Sequence, residues 1–370
     1  MTQSKGKRNR VGAAARKRSG TARRTGRKPS APLPAQTPKA PVETAARASE
    51  SVGPRLVKVD EEHDGQRIDN LLLRELRGVP RSRIYSMLRR GEVRVDGRRV
   101  KPGHRLEGGA EVRLPPVHQR AAASPQAPSA GLASALEAAI LHEDDTLLVV
   151  NKPSGLAVHG GSGVSTALVE SLRVLRPQAR FLELAHRIDR DTSGCVLLAK
   201  RRSVLRHLHE ALRARTASKR YLALVEGDWP AHLERLEAPL ERVLAANGER
   251  FVRVSAAGKP ALSRVRVVER LAGATLLEVA PETGRTHQIR VHLAHAGHAI
   301  LGDAKYATPE ARQAARGRGV TRLCLHAAFI AVPDWREGHE GAMRAFEAPL
   351  PDDLERVLDG IRADRESRSR

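Results

Sequence analysis

The strongest constraint on the fold is a nine-residue polar run between two apolar segments. The run is His186-Arg187-Ile188-Asp189-Arg190-Asp191-Thr192-Ser193-Gly194. Phe181-Leu182-Glu183-Leu184-Ala185 precedes it and Cys195-Val196-Leu197-Leu198-Ala199 follows. Both flanks read as short strands, so the polar run is predicted to be the loop joining them. The loop is too polar for a core, and it sets one carboxylate, Asp189, between Arg187 and Arg190. Flanking positive charge favours an ionised carboxylate. Such a carboxylate suits a nucleophile or base acting on a phosphate-bearing substrate. Taken alone, the stretch equally suits a surface turn with ion pairs.

Charge narrows the partner. The 370 residues contain 65 Lys or Arg against 42 Asp or Glu, a net +23. Residues 1–42 hold twelve of the basic residues and no acid, so the rest of the chain still carries +11. A chain basic in both tail and body points to a polyanion, most simply nucleic acid. Solubilising charge is the competing explanation. The two cysteines, Cys195 and Cys324, lie in apolar runs without metal-site spacing and read as core residues of a reducing compartment. No apolar stretch approaches a membrane span, and the N-terminus has no signal-peptide core, so no membrane role and a cytoplasmic location are expected.

Taken in order, residues 1–52 lack large apolar side chains and are predicted to be a disordered basic tail. Residues 54–115 read as a small folded module. A strand at Leu56–Val59 precedes helical spacing at Ile68, Leu71, Leu72 and Leu76. Pro80 introduces a second helix with Ile84, Met87 and Leu88 on one face and Gly91 as its stop. Arg81, Arg83, Arg89 and Arg90 crowd that helix. An alternating strand with an Asp96-Gly97 turn follows, then another at Ala110–Leu114. This order resembles the S4 RNA-binding domain, which implies contact with structured RNA through its backbone. Residues 116–135 lack periodicity and read as a linker.

Residues 136–362 read as a larger α/β body. Gly155–Gly163 lacks the Gly-Lys-Ser/Thr ending of a phosphate loop. Leu205, Leu208 and Leu212 suggest an amphipathic helix. Tyr221, one of only three tyrosines, follows Lys219 and Arg220 in a strand and reads either as core or as a base-stacking platform. Strands follow at 251–254, 263–269 and 275–280. A helix is predicted from Thr286, its first turns carrying Arg285 and Arg290 beside backbone donors. His287, His292, His295 and His298 suggest a metal cluster, but the last three drift around that helix and no HExxH pattern accompanies them, so packing and RNA contact are preferred to a metal. A buried strand at 322–332 and a closing helix at 352–361 complete the body.

These residues together resemble the RluA-type pseudouridine synthases. His186 to Gly194 is similar to that family's signature, with Ile188 in place of the usual Leu. Tyr221 and Gly284-Arg285-Thr286-His287-Gln288-Ile289-Arg290-Val291-His292 match its other two motifs, and Ile300–Tyr306 follows as the family pattern has it. The resemblance implies an α+β protein: a small S4-like module, a linker, then a mixed, largely antiparallel sheet flanked by helices. It also implies isomerisation of a flipped-out uridine in 23S ribosomal RNA, by a monomer with no cofactor and no metal. Asp189 is implied as the catalytic carboxylate, with Arg290 pairing it and Tyr221 stacking on the uracil. Arg187, His186, Lys219 and Arg285 are expected to contact RNA, as are Arg81, Arg83, Arg89 and Arg90. Another RNA such as tRNA, or a non-catalytic RNA-binding or ribosome-assembly role, remains the alternative. A glycoside hydrolase-like enzyme would need two opposed carboxylates, whereas Asp189 and Asp191 share one loop.

Overall fold

The computed structural model describes residues 49–76, 78–120, 127–160, 167–244 and 249–369. The expected tail up to residue 48, Gly161-Ser162-Gly163 and Gly248 lie outside them. The first module contains β1 (Ser49–Val52), β2 (Arg55–Lys58), α1 (Ile68–Glu75), α2 (Arg81–Arg90), β3 (Arg94–Val95), β4 (Arg98–Arg99), β5 (Glu111–Leu114) and β6 (Val117–Arg120). Its four-stranded sheet runs β2-β5-β3-β4. The apolar faces predicted for the two helices meet there: Ile68, Leu71 and Leu72 pack with Ile84, Met87 and Leu88 over Val95, Val112 and Leu114. Gly91 ends α2 at φ 72°, its N–H reaching back to the Leu88 and Met87 carbonyls. Asp96 and Gly97 both take positive φ, the tight hairpin turn that Asp-Gly favours.

Two expectations need correction. Ser49–Val52, assigned to the disordered tail, pairs antiparallel with Val117–Arg120, which was assigned to the linker. Strand pairing satisfies backbone groups whatever the side chains, so polarity alone gave no signal. The linker also gives way at Ser129, whose hydroxyl accepts the Leu132 N–H and caps a helix, α3 (Ala130–Ala138).

The larger body continues with β7 (Ile140–Glu143), β8 (Leu147–Lys152), α4 (Leu168–Leu175), β9 (Glu183–Leu184), β10 (Ser193–Ala199), α5 (Arg202–Ala214) and β11 (Ser218–Glu226). Next come β12 (Arg235–Glu237), β13 (Leu240–Leu244), β14 (Arg250–Val254), β15 (Leu262–Leu271), β16 (Ala274–Pro281) and α6 (Gln288–His295). The chain ends with α7 (Pro309–Gly317), β17 (Leu325–Pro333), β18 (Met343–Glu347) and α8 (Asp352–Ser369). A ten-stranded sheet runs β12-β15-β16-β11-β17-β10-β8-β7, with β18 on β17 and β9 on β10. Its pairings are antiparallel except β10 with β17. β13 and β14 form a separate ribbon.

Every residue of β10 is buried. Val196 and Leu198 face a cluster containing Leu136, Leu168 and Leu172. Cys195, Leu197 and Ala199 face the opposite cluster with Val204 and Leu208 of α5. Burial pushes the Cys195 and Cys324 thiols up to about 12, which makes them inert core residues. The strand begins where it crosses β17: Gly194, at φ 115°, lies against Ala327, whose carbonyl oxygen would be 2.3 Å from an added Cβ. The backbone entering β10 from the Asp189 loop is therefore admitted only because residue 194 has no side chain. Gly194→Ala is expected to lower stability by roughly 2–4 kcal/mol through strain and overpacking. Urea unfolding measures the loss, and an unchanged midpoint would show that the crossing tolerates a Cβ.

Candidate active site

Six of the residues singled out from the sequence line one cavity of ≈ 170 Å³: Arg187, Asp189, Lys219, Tyr221, Arg285 and Arg290. They come from three places in the fold. The loop before β10 brings Asp189 and Arg187. β11 brings Lys219 and Tyr221. The turn into α6 brings Arg285, and its first turn Arg290. The β11–β17 register shifts between Arg220 and Leu222, so Tyr221 sits at a bulge. Bulges re-aim side chains, and this one stands where Tyr221 meets the cavity.

Arg290 is buried and holds two carboxylates. Its Nε and Nη2 donate to Asp303, both at 2.8 Å. Its Nη1 donates to Asp189 Oδ2 at 3.4 Å. Burial opposes charge on Asp303, but the Arg290 guanidinium outweighs it and holds the carboxyl below its ordinary 3.8. Asp303 also accepts the backbone N–H groups of Lys305 and Tyr306. The expected pairing of Arg290 with Asp189 is thus the looser of two contacts. The tighter one leaves a single guanidinium edge for Asp189.

A second frame stands beside it. Tyr306 accepts the Val252 N–H at 3.1 Å and shares a 2.6 Å hydrogen bond with His287 Nδ1. With the hydroxyl proton directed to Nδ1, the ring proton of His287 is on Nε2, 3.9 Å from Asp189 Oδ2. Burial lowers the His287 pKa, so the ring is neutral at neutral pH. His287 itself takes φ 53°, and α6 starts after it at Gln288, two residues later than predicted. Burial, and then the Asp189 charge, push the Tyr221 phenol above its ordinary 10. Burial also lowers the Lys219 pKa.

The Asp189 loop is pinned from behind. Lys152 is fully buried and gives its Nζ to the carbonyls of Pro153, Leu156 and Arg190, each at 2.8 Å. Burial pulls its pKa down to about 7. Ser154 Oγ donates to the Asp191 carbonyl, and the Gly155 N–H to that of Arg190. A larger cavity of ≈ 710 Å³ opens beside Lys152 and Asp191. Asp189 does not line it, whereas it lines the smaller cavity with Tyr221.

Other expectations shift. His186 does not line the cavity: its Nε2 accepts the Leu197 N–H at 3.1 Å, so it braces the loop against β10. Arg190 pairs with its neighbour Asp191. Arg187 is exposed at the cavity. On α2, Arg83 and Arg90 share Glu92, whereas Arg81 and Arg89 are exposed and make no ion pair among the described residues. His292 is buried between Ser263 Oγ and the Ala238 carbonyl, and His298 meets the Glu226 carbonyl. Among the described residues no cluster of three or more His, Cys, Asp or Glu is placed to hold a metal. No helix among them is long and apolar enough to cross a membrane.

Comparison with known proteins agrees with this geometry. Residues 146–295 match the RNA pseudouridylate synthase family model, and residues 66–112 match the S4 domain. The ribosomal large subunit pseudouridine synthase C of Escherichia coli O157:H7 is 50% identical over 85% of this chain and 98% of its own length. The protein of the same name from Haemophilus influenzae is 48% identical over 83% of this chain and 95% of its own. The chain belongs to the RluA-type pseudouridine synthase family. The solved structure of human RNA pseudouridylate synthase domain containing 4 is similar, with a TM-score of 0.52 and 27% identity, covering 63% of this chain and 96% of that one.

As a pseudouridine synthase, this chain carries three residues around its site for which the sequence alone suggests no role, Asp303, Tyr306 and Lys152, and His287 serves there in packing against Tyr306. Asp303 and Tyr306 lie in the Ile300–Tyr306 stretch, where the family pattern was the available signal. Removing the Asp303 charge tests the Arg290 frame. Asp303→Asn leaves a buried guanidinium short of its main partner, at a cost of about 3–5 kcal/mol. Turnover is expected to fall by roughly 10²-fold as Arg290 moves. Wild-type stability and turnover in this variant would mean that Asp189 alone orients Arg290.

The start of β10 is also acid-sensitive. His326 is fully buried, meets Ser193 Oγ at 2.9 Å, and donates from Nε2 to the Ala348 carbonyl at 3.1 Å. Burial pushes its pKa down to about 4, and burial with the Lys219 charge pushes His186 down to about 3. Unfolded imidazoles take a proton near 6.5, so the unfolded chain gains protons first as pH falls. The contribution of His326 is whole above about 6.5 and is lost as pH falls to about 4, by up to about 1.4 kcal/mol per pH unit. Urea midpoints should decline across that window. A profile no steeper than that of His326→Gln would discount the histidine.

Proposed function

We propose that this chain isomerises a specific uridine to pseudouridine in 23S ribosomal RNA. The observation that carries the reading is Asp189 in a cavity shared with Tyr221 and with one free edge of Arg290. Isomerisation breaks the N1–C1′ bond, turns the uracil and joins C5 to C1′, while a proton leaves C5 and another ends on N1. No group is lost and no electron changes hands, so the chain acts without a cofactor. Asp189 supplies the carboxylate at the sugar, either attacking C1′ or taking the 2′ proton to form a glycal. Arg290 orients it. Tyr221, kept protonated by burial and by Asp189, offers its face to the flipped uracil. Arg187 is placed to fill the gap left in the RNA stack. Lys219 and Arg285 meet flanking phosphates, and Arg81 and Arg89 of the S4-like module engage structured RNA. The choice of ribosomal RNA follows the names of the relatives, and the chain is taken to act as a cytoplasmic monomer.

Incubating the protein with a 23S transcript and mapping pseudouridine chemically tests the reading. New pseudouridine at a defined position is expected, and none from wild type would overturn it. Asp189→Asn is expected to keep RNA affinity within about threefold while turnover falls by at least about 10⁴-fold, since among the described residues no second carboxylate lines the cavity to replace it. Retained turnover would remove Asp189 from its role.

A further inference from the structure

Arginines that catalysis does not use gather at the far end of β10. Asp189 precedes that strand, and Lys200 and Arg201 follow it. The seven residues between span about 23 Å, so a group there cannot touch the reacting uridine. A cleft of ≈ 660 Å³ opens at this end, with Arg180, Arg201, Arg202 and Arg206 in its lining. Two more cations in it are already spent: Arg176 pairs with Glu137 and Glu143, and Lys200 with Glu143. Arg202 lies over the Phe181 ring, 4.8 Å from its centre. Arg180, Arg201 and Arg206 are exposed and make no ion pair among the described residues. Against them the cleft offers one further acid, Asp145.

The excess continues along α5. Arg202, Arg206 and Arg213 recur at i, i+4 and i+11, so they share one face over about 16 Å of helix. Val204, Leu208 and Ala211 are buried on the other side. Glu210 borders the basic face. A stripe of guanidiniums with few carboxylates costs self-repulsion unless an anion covers it. Planar guanidiniums suit phosphate in particular.

We infer that this cleft and the basic face of α5 form a second docking surface, for the phosphodiester backbone of the RNA substrate. The inference rests on the RNA-modifying function proposed above. The surface lies on the same sheet as the cavity, so an RNA reaching both is held at two points roughly 20 Å apart. A stem–loop too short to span them engages the cavity alone. The remote arginines therefore raise affinity for long RNA and leave the chemical step untouched.

The test uses the full-length chain carrying Arg180→Glu, Arg201→Glu and Arg206→Glu together. Two probes are compared: the full 23S transcript, and a short stem–loop around the uridine mapped in it. For the transcript, Kd and KM are expected to rise by at least about tenfold. The slope of log affinity against log salt should become shallower by about 2, one step of 0.7–0.9 for each lost phosphate contact. On the stem–loop, kcat and KM should stay near wild type. Wild-type affinity and slope with the transcript would overturn the inference, as would equal losses on both probes. If wild type binds the transcript but makes no pseudouridine, the proposed function fails while the affinity comparison still decides the docking surface. Should the triple variant fail to fold, arginine modification by phenylglyoxal on wild type decides instead. The transcript is expected to shield Arg201 and Arg206, and equal modification with and without RNA would refute the surface.

Discussion

The Arg290 guanidinium has two carboxylate neighbours, and the inequality between them organises the site. Asp303 is fully buried and takes two guanidinium edges at 2.8 Å. Asp189 is partly open to the cavity and takes the remaining edge at 3.4 Å. A buried arginine with one partner would be locked to it. With Asp303 carrying that load, the contact to Asp189 at 3.4 Å is left room to lengthen or shorten. Asp303 is fixed in turn by the backbone N–H groups of Lys305 and Tyr306, and the Tyr306 ring lies 5.1 Å from the guanidinium carbon. The turn after α6 thus builds one rigid wall, against which a single carboxylate is presented.

The opposite wall is the Asp189 loop itself, and its rigidity comes from backbone contacts more than from its many charged side chains. Lys152 ties the Arg190 carbonyl to the turn after β8, Ser154 ties the Asp191 carbonyl, and His186 ties the loop's start to Leu197. Gly194 then lets the chain pass flush against Ala327. The charged side chains are freed for the cavity. Arg187 faces it without an ion pair among the described residues, while Arg190 is used up on Asp191.

Much of this was legible in the sequence because periodicity and turn chemistry are local. The two helices and Asp-Gly hairpin of the first module, the loop before β10 and the amphipathic α5 follow from spacing alone. Asp189 stands out from its own loop, but its grouping with Tyr221 and Arg290 comes from motif resemblance, since the three lie far apart in the chain and only the fold brings them together. What escaped was of two kinds. Pairing of Ser49–Val52 with Val117–Arg120 depends on backbone complementarity between polar segments, which leaves no hydrophobic pattern. Partnerships such as Arg290 with Asp303, or Lys152 with three carbonyls, depend on burial, and a lysine or aspartate at the end of an apolar run reads as a surface residue until the packing around it is known. His186, expected at the RNA from the family resemblance, instead has its ring turned to β10, where Nε2 accepts the Leu197 N–H.

The distribution of charge separates two tasks that a basic protein must keep apart. Beside Asp189 two cations are restrained: Arg290 is shared between two aspartates, and Lys219 is partly buried and pulled down in pKa, while Arg187 and Arg285 line the same cavity exposed. Cations held as Arg290 and Lys219 are add little long-range attraction and keep a fixed geometry. At the far end of β10 Arg180, Arg201 and Arg206 are exposed and make no ion pair among the described residues, which gives the reverse balance: strong, salt-sensitive attraction with little geometric demand. On the proposed function, arginines a strand's length from Asp189 let affinity for a polyanion rise without adding a competitor for the contact of Asp189 with Arg290.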